Sequence, residues 1–365
     1  MIFSSTLGRR SKPANRYLEA KVRILLTADP GIPVPPRGYG GIERIIDSLV
    51  RAMKARGHSV GLAAHPDSTS PADTHYGWPA RESARAVDTL RNSIALRAAV
   101  REFHPDVLHS FSRLAYLLPV LPTRLPKIMS YQRHTGGMQV AIGARLGGRT
   151  LRFTGCSDFI CGQGRKSGGR WDTIPNFVEI EKFDFVPAVP TDAPLVFLSR
   201  IESVKGPDLA IDIAIASGRR LILAGNRAER GPEREFWDRR IAPRLDRDGI
   251  EWVGEVDDTK KNLLLGSAAA LLLPIQWDEP FGIVFAEAMA TGAPIITCAR
   301  GALPEIVEPG KTGFFIRNAS EGAAVVARLG ELDRAACRRV AESQFSLKVC
   351  AEQYMRLYRE MAGIS

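Results

Sequence analysis

The sequence predicts an α/β protein made of two doubly wound parallel-sheet units in tandem, facing one another. Three observations carry that prediction. Short apolar runs alternate with amphipathic stretches from residue 22 onward, the pattern of a parallel sheet covered by helices. The alternation stops in a proline-bearing segment, "DTIPNFVEIEKFDFVPAVPTDAP", which has little helical period. It restarts at "PLVFLSR" and runs on through the chain; a repeat of this length means two sheets and not a solenoid.

In order, "VRILLTA" (22–28) is the first expected strand, followed by the loop "DPGIPVPPRGYGG". A helix is expected over 42–56, because Ile42, Ile45, Ile46, Leu49, Val50 and Met53 recur at helical spacing before Gly57 stops it. Then come "SVGLAAH" as a strand, a polar segment through 80, a helix over 83–103, and "PDVLHSF" and "PKIMSYQ" as strands. A glycine-punctuated basic stretch follows, and "LRFTGCS" is expected to close this half. The second half reads as strand 194–200, helix 206–217, strand "RLILAGN", helix 231–245, strand "IEWVGEV" and helix 257–267. It continues with strand "AAALLLPI", helix 283–291, strand "APIITC", then "GFFI" and terminal helices. In "FSLKVCAEQYMRLYREMAGI", Leu347, Val349, Cys350, Tyr354, Leu357, Tyr358 and Met361 share one helical stripe, suited to docking on another surface. The expected divisions are a disordered lead-in over 1–20, a front unit over 21–177, a linker over 178–193 and a rear unit over 194–345. A last helix, 346–362, returns to the front unit.

The 365 residues, 45% of them hydrophobic, suffice for two cores of ordinary size. No stretch approaches the apolar run that a membrane-spanning helix needs. The five cysteines are odd in number and lie mostly in apolar segments, which argues against a disulfide framework or zinc site and for a reducing, cytoplasmic setting. The first twenty residues are basic but lack the apolar core of a secretory signal. Net charge is +10 and unevenly spread: residues 1–177 carry 26 Lys+Arg against 12 Asp+Glu, and the remainder 24 against 28. A basic front half points to an anionic partner such as a membrane surface or an acidic acceptor, with a plain solvated basic face as the alternative. Nucleic acid is set aside, since no helix-turn-helix, zinc-finger spacing or aromatic RNA-binding strand is present.

Ligands of such sheets bind beyond the carboxyl ends of the strands, so three loops matter. "GYGGIER" places Gly38, Gly40 and Gly41 just before a helix start, where amides can approach an anion; ordinary turn glycines are the alternative. "LSRIESVKGPD" puts Arg200 at a strand end with Lys205 ahead of a helix start, a planar fork and a point charge able to clamp a diphosphate, or two solvated cations. "DEPFGIVFAEAMATGAPIITC" sets Glu279 on a loop and Glu287 about one turn inside the following helix. At ~1.5 Å rise per residue the two carboxylates can lie on the order of 10 Å apart, with the amides of Gly282, Ile283 and Val284 between them. That arrangement suits a sugar nucleotide laid across the helix end; a first-turn acid complementing the helix dipole beside an exposed loop acid is the alternative.

"EPFGIVFAEAMATGAPII" followed by "GALPEIVEPGKTGFFI", with "RIESVKG", "LAGN", "VGEV" and the upstream "IPNFVEIEKF", resembles the donor-binding domain of the retaining glycosyltransferases of GT-B fold, family four. The resemblance covers nearly all of residues 22–362. It implies two Rossmann-like domains with a cleft between them, the acceptor mainly on the first and the nucleotide sugar mainly on the second. By the same resemblance Arg200 and Lys205 hold the diphosphate, Glu287 the ribose and Glu279 the transferred sugar. The amides of Gly282, Ile283 and Val284 lie beside sugar and phosphate, and Gly40 and Gly41 close over the phosphates from the other domain. Such enzymes often carry a histidine after a first-domain strand, near the reacting face of the sugar. The stretch here is "IMSYQRHTGG", so Gln132 or His134 stands for it. His109 in "PDVLHSF" points to the same cleft, although a satisfied core histidine is the favoured reading.

The implied reaction is transfer from a nucleotide-diphosphate sugar to a hydroxyl of a glycan, lipid or small molecule, with the anomeric configuration retained by front-face attack. No cofactor and no metal are expected, because cations and helix amides suffice to stabilise the leaving group. The Asp-x-Asp of Asp246 and Asp248 reads as a solvated turn. Rival readings are a glycoside hydrolase using Glu279 and Glu287, which would have no use for Arg200 and Lys205, a sugar-nucleotide epimerase or phosphorylase, and a sugar-nucleotide-binding protein without turnover.

Overall fold

A computed structural model describes residues 20–38, 40–82 and 85–364. The lead-in expected over 1–20 therefore lies, apart from Ala20, outside the described residues.

The front unit runs β1 (Arg23–Thr27), α1 (Gly41–Ala55), β2 (Ser59–Ala64), β3 (Thr74–Gly77), α2 (Ala86–Phe103), β4 (Val107–Ser110), β5 (Lys127–Tyr131), α3 (Gly137–Gly147), β6 (Leu151–Gly155), α4 (Asp158–Arg165) and β7 (Trp171–Thr173). The seven strands form one parallel sheet in the order β3-β2-β1-β4-β5-β6-β7. The rear unit runs β8 (Leu195–Leu198), α5 (Pro207–Ser217), β9 (Leu221–Ala224), α6 (Pro232–Phe236), β10 (Ile250–Trp252), α7 (Asp258–Ser267), β11 (Ala270–Leu272), α8 (Ile283–Thr291), β12 (Ile295–Thr297), α9 (Leu303–Ile306) and β13 (Gly313–Phe315). Its parallel sheet has the order β10-β9-β8-β11-β12-β13. Helices α10 (Ala319–Val326), α11 (Arg334–Gln344) and α12 (Leu347–Ala362) complete the chain. Both sheets thus reverse winding direction once, between β1 and β4 and between β8 and β11.

Four expectations need correction. The segment read as merely polar contains β3, an edge strand whose residues are exposed or half-buried, so no apolar run announces it. "LRFTGCS" does not close the front sheet, because β7 follows it; its Trp171 stacks on Phe153 with ring centroids 4.8 Å apart. The basic glycine-punctuated stretch before β6 forms α3, where Gly143 and Gly147 sit against the side chains of Leu114 and Leu151. The helix expected over 231–245 survives only as α6, a wider turn over Trp237–Ile241 and a tight turn over Ala242–Arg244. Pro243 supplies no amide to continue it.

One core explains the path of the last helix. Ile46, Leu49 and Met53 of α1 and Tyr354, Met355 and Tyr358 of α12 pack together over Ile24, Leu26 and Val60. The apolar stripe of α12 is therefore spent on the front sheet beside α1, and Ser346 caps its start by accepting from the Val349 amide at 3.3 Å.

Candidate functional site

Each reversal of winding opens a crevice at the carboxyl ends of the strands. The loops after β1, β4 and β5 face the crevice from the front, and those after β8 and β11 from the rear.

The rear loops meet because a glycine allows it. A Cβ on Gly206, which holds φ 73°, would lie 2.2 Å from the Pro274 carbonyl oxygen, so the loop after β8 can press directly on the loop after β11. That contact joins Lys205 to Glu279, Nζ to Oε2, at 2.7 Å, with both side chains nearly buried. The Trp277 indole donates to the same oxygen at 2.9 Å, and Lys205 Nζ stands 4.9 Å over its ring. Arg200 lies further out, half-exposed, with Nη1 2.5 Å from Glu202 Oε1.

Gly282 turns the chain into α8 with φ 78° and no side-chain cap, which leaves the helix's positive end open toward the crevice at Ile283 and Val284. Glu287, one turn inside, is held by Lys261 at 2.6 Å, and Lys261 also reaches Asp258 at 3.2 Å. Burial pulls the Lys261 ammonium toward its neutral form, but Glu287 and Asp258 together outweigh that and raise its pKa above the ordinary lysine value. Asp258 in turn takes Arg44 of α1 at 2.8 Å, and Arg44 donates to the Gly38 carbonyl at 3.3 Å. A chain of alternating charge therefore connects the front glycine loop to Glu287.

From the front, a Cβ on Gly41 would stand 3.3 Å from Ile283 Cδ1, and one on Gly40 would meet Pro36 Cβ at 2.7 Å. Gly41 thus lies where the loop after β1 meets the start of α8, and Gly40 where that loop folds tightly on itself. Glu43, buried in the first turn of α1, has its pKa raised by desolvation, with Asp29 adding to the rise. His134 brings its Nε2 to 3.0 Å from the Asp278 carbonyl and its Nδ1 to 3.1 Å from Gln163 Oε1, edge-on to Trp277. It touches the residue next to Glu279 across the lobes. Gln132, the other occupant considered for this place, is half-buried, and its Oε1 has no hydrogen-bond partner among the described residues. Ser157 donates to the Pro280 carbonyl at 2.7 Å, so the carbonyls on both sides of Glu279 are held by front-unit side chains.

His109 is a core residue. It is fully buried, with Nδ1 2.6 Å from Tyr358 Oη and Nε2 2.6 Å from Ser130 Oγ, and burial pushes its pKa down to about 3. Asp246 and Asp248 lie in a tight turn, both with positive φ, closed between Arg247 and Ile250. All five cysteines are free and buried.

Sequence reasoning placed Arg200, Lys205, Glu279 and Glu287 in one region but missed Lys261, Trp277, Ser157 and the Arg44–Asp258 contact. Trp277 was in reach, since it adjoins the acid in "QWDEP". Nothing in the spacing ties Lys261 to an acid 26 positions on.

Residues 39–182 match the family Glycosyltransferase Family 4 and residues 179–338 the family Glycosyl transferases group 1. The two matches adjoin at the join between the units. The solved glycosyltransferase of Rickettsia africae ESF-5 superposes with a TM-score of 0.78 at 18% identity, over 94% of this chain and all of that one. The chain has the GT-B fold. Another structure of this GT-B fold, Anabaena Alr3699/HepE in complex with UDP-glucose, matches with a TM-score of 0.70 at 17% identity, over 93% of this chain and 100% of that one. Among curated relatives, spore coat protein SA of Bacillus subtilis is 36% identical over 94 residues, 23% of this GT-B chain and 25% of that protein. The alpha-maltose-1-phosphate synthase of Mycolicibacterium smegmatis is 34% identical over 131 residues, 32% of this chain and 34% of that one. The matched stretches thus span about a quarter and a third of those two relatives.

Proposed function

We propose that the chain transfers a hexosyl group, with retention, from a nucleotide-diphosphate sugar to a hydroxyl acceptor in the cytoplasm. The observation that carries this reading is the open end of α8, flanked by two acids that are each held by a lysine, Glu279 by Lys205 and Glu287 by Lys261. A bound diphosphate gives Lys205 and Arg200 an anion to hold and releases Glu279 to accept from sugar hydroxyls. Glu287, oriented by Lys261, accepts from the ribose diol. That Alr3699/HepE was solved with UDP-glucose supports a donor of this class.

In the reaction the anomeric carbon–oxygen bond to the phosphate breaks as the acceptor oxygen attacks from the same face. The departing phosphate oxygen takes the acceptor's proton, while Arg200, Lys205 and the α8 amides stabilise the charge that develops on the diphosphate. This chemistry runs without a metal. A thermal-shift screen against UDP, GDP, ADP and TDP sugars identifies the donor, since a ligand selective for the native state raises Tm. Proton NMR of the product then reads the anomeric configuration. Hydrolysis of simple glycosides without any nucleotide would overturn the reading, as would an inverted product or turnover lost in chelator and restored by a divalent cation.

A further inference from the structure

We propose that the face formed by α2 and α3 of the front unit docks on an anionic lipid bilayer. Among the described residues, seven of the twelve exposed large hydrophobic side chains lie on this face. Val87, Leu90 and Ile94 form the outer stripe of the first half of α2, with Leu90 57% and Ile94 59% exposed. Met138, Ile142 and Leu146 repeat at four-residue spacing along α3, with Met138 79% exposed. The seventh, Leu118, ends the short turn Leu114–Leu117 that packs against both helices, so the two stripes belong to one surface.

Charge selects the occupant. The outer stripe of α2 continues as Arg97 and Arg101, and Arg145 and Arg149 lie between and beyond the apolar residues of α3. Residues 107–157, which include all of α3, hold seven Lys+Arg and no Asp or Glu. Between α2 and Pro119 an open groove of about 520 Å³ is lined by Ile94, Arg97, Arg101 and Glu102, room for a phosphate headgroup beside two guanidinium groups. Exposed apolar stripes flanked by arginine on adjacent helices suit insertion at the headgroup boundary, where burial and attraction to anionic lipid act together. A second copy of the chain would bring the same arginines against themselves. Met138 stands four residues beyond His134, so this face leads straight to the crevice. Resting on the transferase reading, the placement makes a lipid-borne hydroxyl the acceptor class.

The test is co-sedimentation of the full chain with vesicles of phosphatidylglycerol in phosphatidylcholine, and with pure phosphatidylcholine. Binding to the anionic vesicles alone is expected, falling steeply as salt rises. Ile142→Glu with Leu146→Glu, and separately Arg145→Glu with Arg149→Glu, should each lower partitioning at least about tenfold at unchanged Tm. The altered side chains are exposed, so the fold is not at stake. Equal binding to neutral vesicles, no binding, or full binding by both variants overturns the proposal. So does a salt-insensitive dimer in sedimentation that Ile142→Glu dissolves. The assay needs no nucleotide, so loss of the donor reading and loss of the docking reading show up separately.

Discussion

Glu287 and Lys261 form a nearly buried charge pair on α8, 2.6 Å apart; removing Lys261 takes away the partner of Glu287, whereas removing Glu287 leaves Lys261 with Asp258. Glu287→Ala should weaken nucleotide binding by roughly ten- to a hundredfold, the worth of a charge-assisted hydrogen bond of about 1.5–3 kcal/mol. Calorimetry with the nucleoside diphosphate checks it, and unchanged affinity would take the ribose away from this acid. Glu43 makes a different test. Its pKa is raised by desolvation, so the folded state holds this proton to higher pH than the unfolded chain does. Its contribution therefore favours folding in acid and is lost as pH rises through the unfolded carboxylate value toward the folded one. Glu43→Gln should accordingly raise Tm at neutral pH and leave it unchanged below about pH 4, as scanning calorimetry can read; a lower Tm at neutral pH would show the ionised acid to be held by partners.

At the scale of elements, the glycines that end one loop and admit another set the geometry of the site. Gly301 has φ 58°, and a Cβ there would stand 2.3 Å from the Glu279 carbonyl oxygen and 2.5 Å from its amide nitrogen. Backbone cannot yield as a side-chain tip would. Gly301→Ala should therefore displace Glu279 and cut kcat/KM on the order of a hundredfold, the cost of misplacing a reacting group by about 1 Å, with nucleotide affinity through Glu287 much less affected. A variant with wild-type kcat/KM would show that Glu279 does not depend on this packing. The sequence made the long, apolar or strongly periodic elements legible: α1, α8, α12 and the buried strands. It hid β3 and β7, whose three or four residues carry no run of their own, and α3, where Met138, Ile142 and Leu146 face outward and Val140 alone of the large apolar residues faces in. Of the site it disclosed the residues that share a loop, such as Lys205 near a helix start. It concealed pairs made only by tertiary folding, such as Lys261 with Glu287. His109 shows the same limit: a strand-end histidine near a cleft is silent on its partners until α12 arrives with Tyr358. Its folded pKa of about 3 means that its stabilising contribution is complete above the ordinary histidine value and is lost as pH falls from there toward 3. Tyr358→Phe strands Nδ1 in the core and should cost about 1–3 kcal/mol in denaturant unfolding; a cost near zero would mean that the ring finds another partner.

At the scale of the molecule, the front unit grips the rear one beside the chemistry. Glu305 accepts the amides of Asp158 and Phe159 at 2.6 Å each, Ser157 and His134 hold the carbonyls of Pro280 and Asp278, and Arg44 reaches Asp258. Three of these contacts converge on residues 278–280 or on the helix start facing them, so closure of the lobes and the position of Glu279 are one event. Under the proposed function the side chains that hold the nucleotide, Arg200, Lys205 and Glu287, all belong to the rear unit. Loosening the grip should therefore slow transfer without releasing the donor. Glu305→Ala is the cleanest probe, because Ser157 also caps α4 through the Ile160 amide at 3.2 Å and its loss would blur two effects. We expect kcat to fall on the order of tenfold while nucleotide affinity shifts less than about threefold, with the radius of gyration in solution scattering increasing in the unliganded protein. Glu305→Gln, which keeps one acceptor oxygen but sets an NH2 group against the other amide, should recover only part of the rate. If affinity and kcat fall together in Glu305→Ala, the front unit contributes to donor binding directly, and the division of labour between the lobes argued here is wrong.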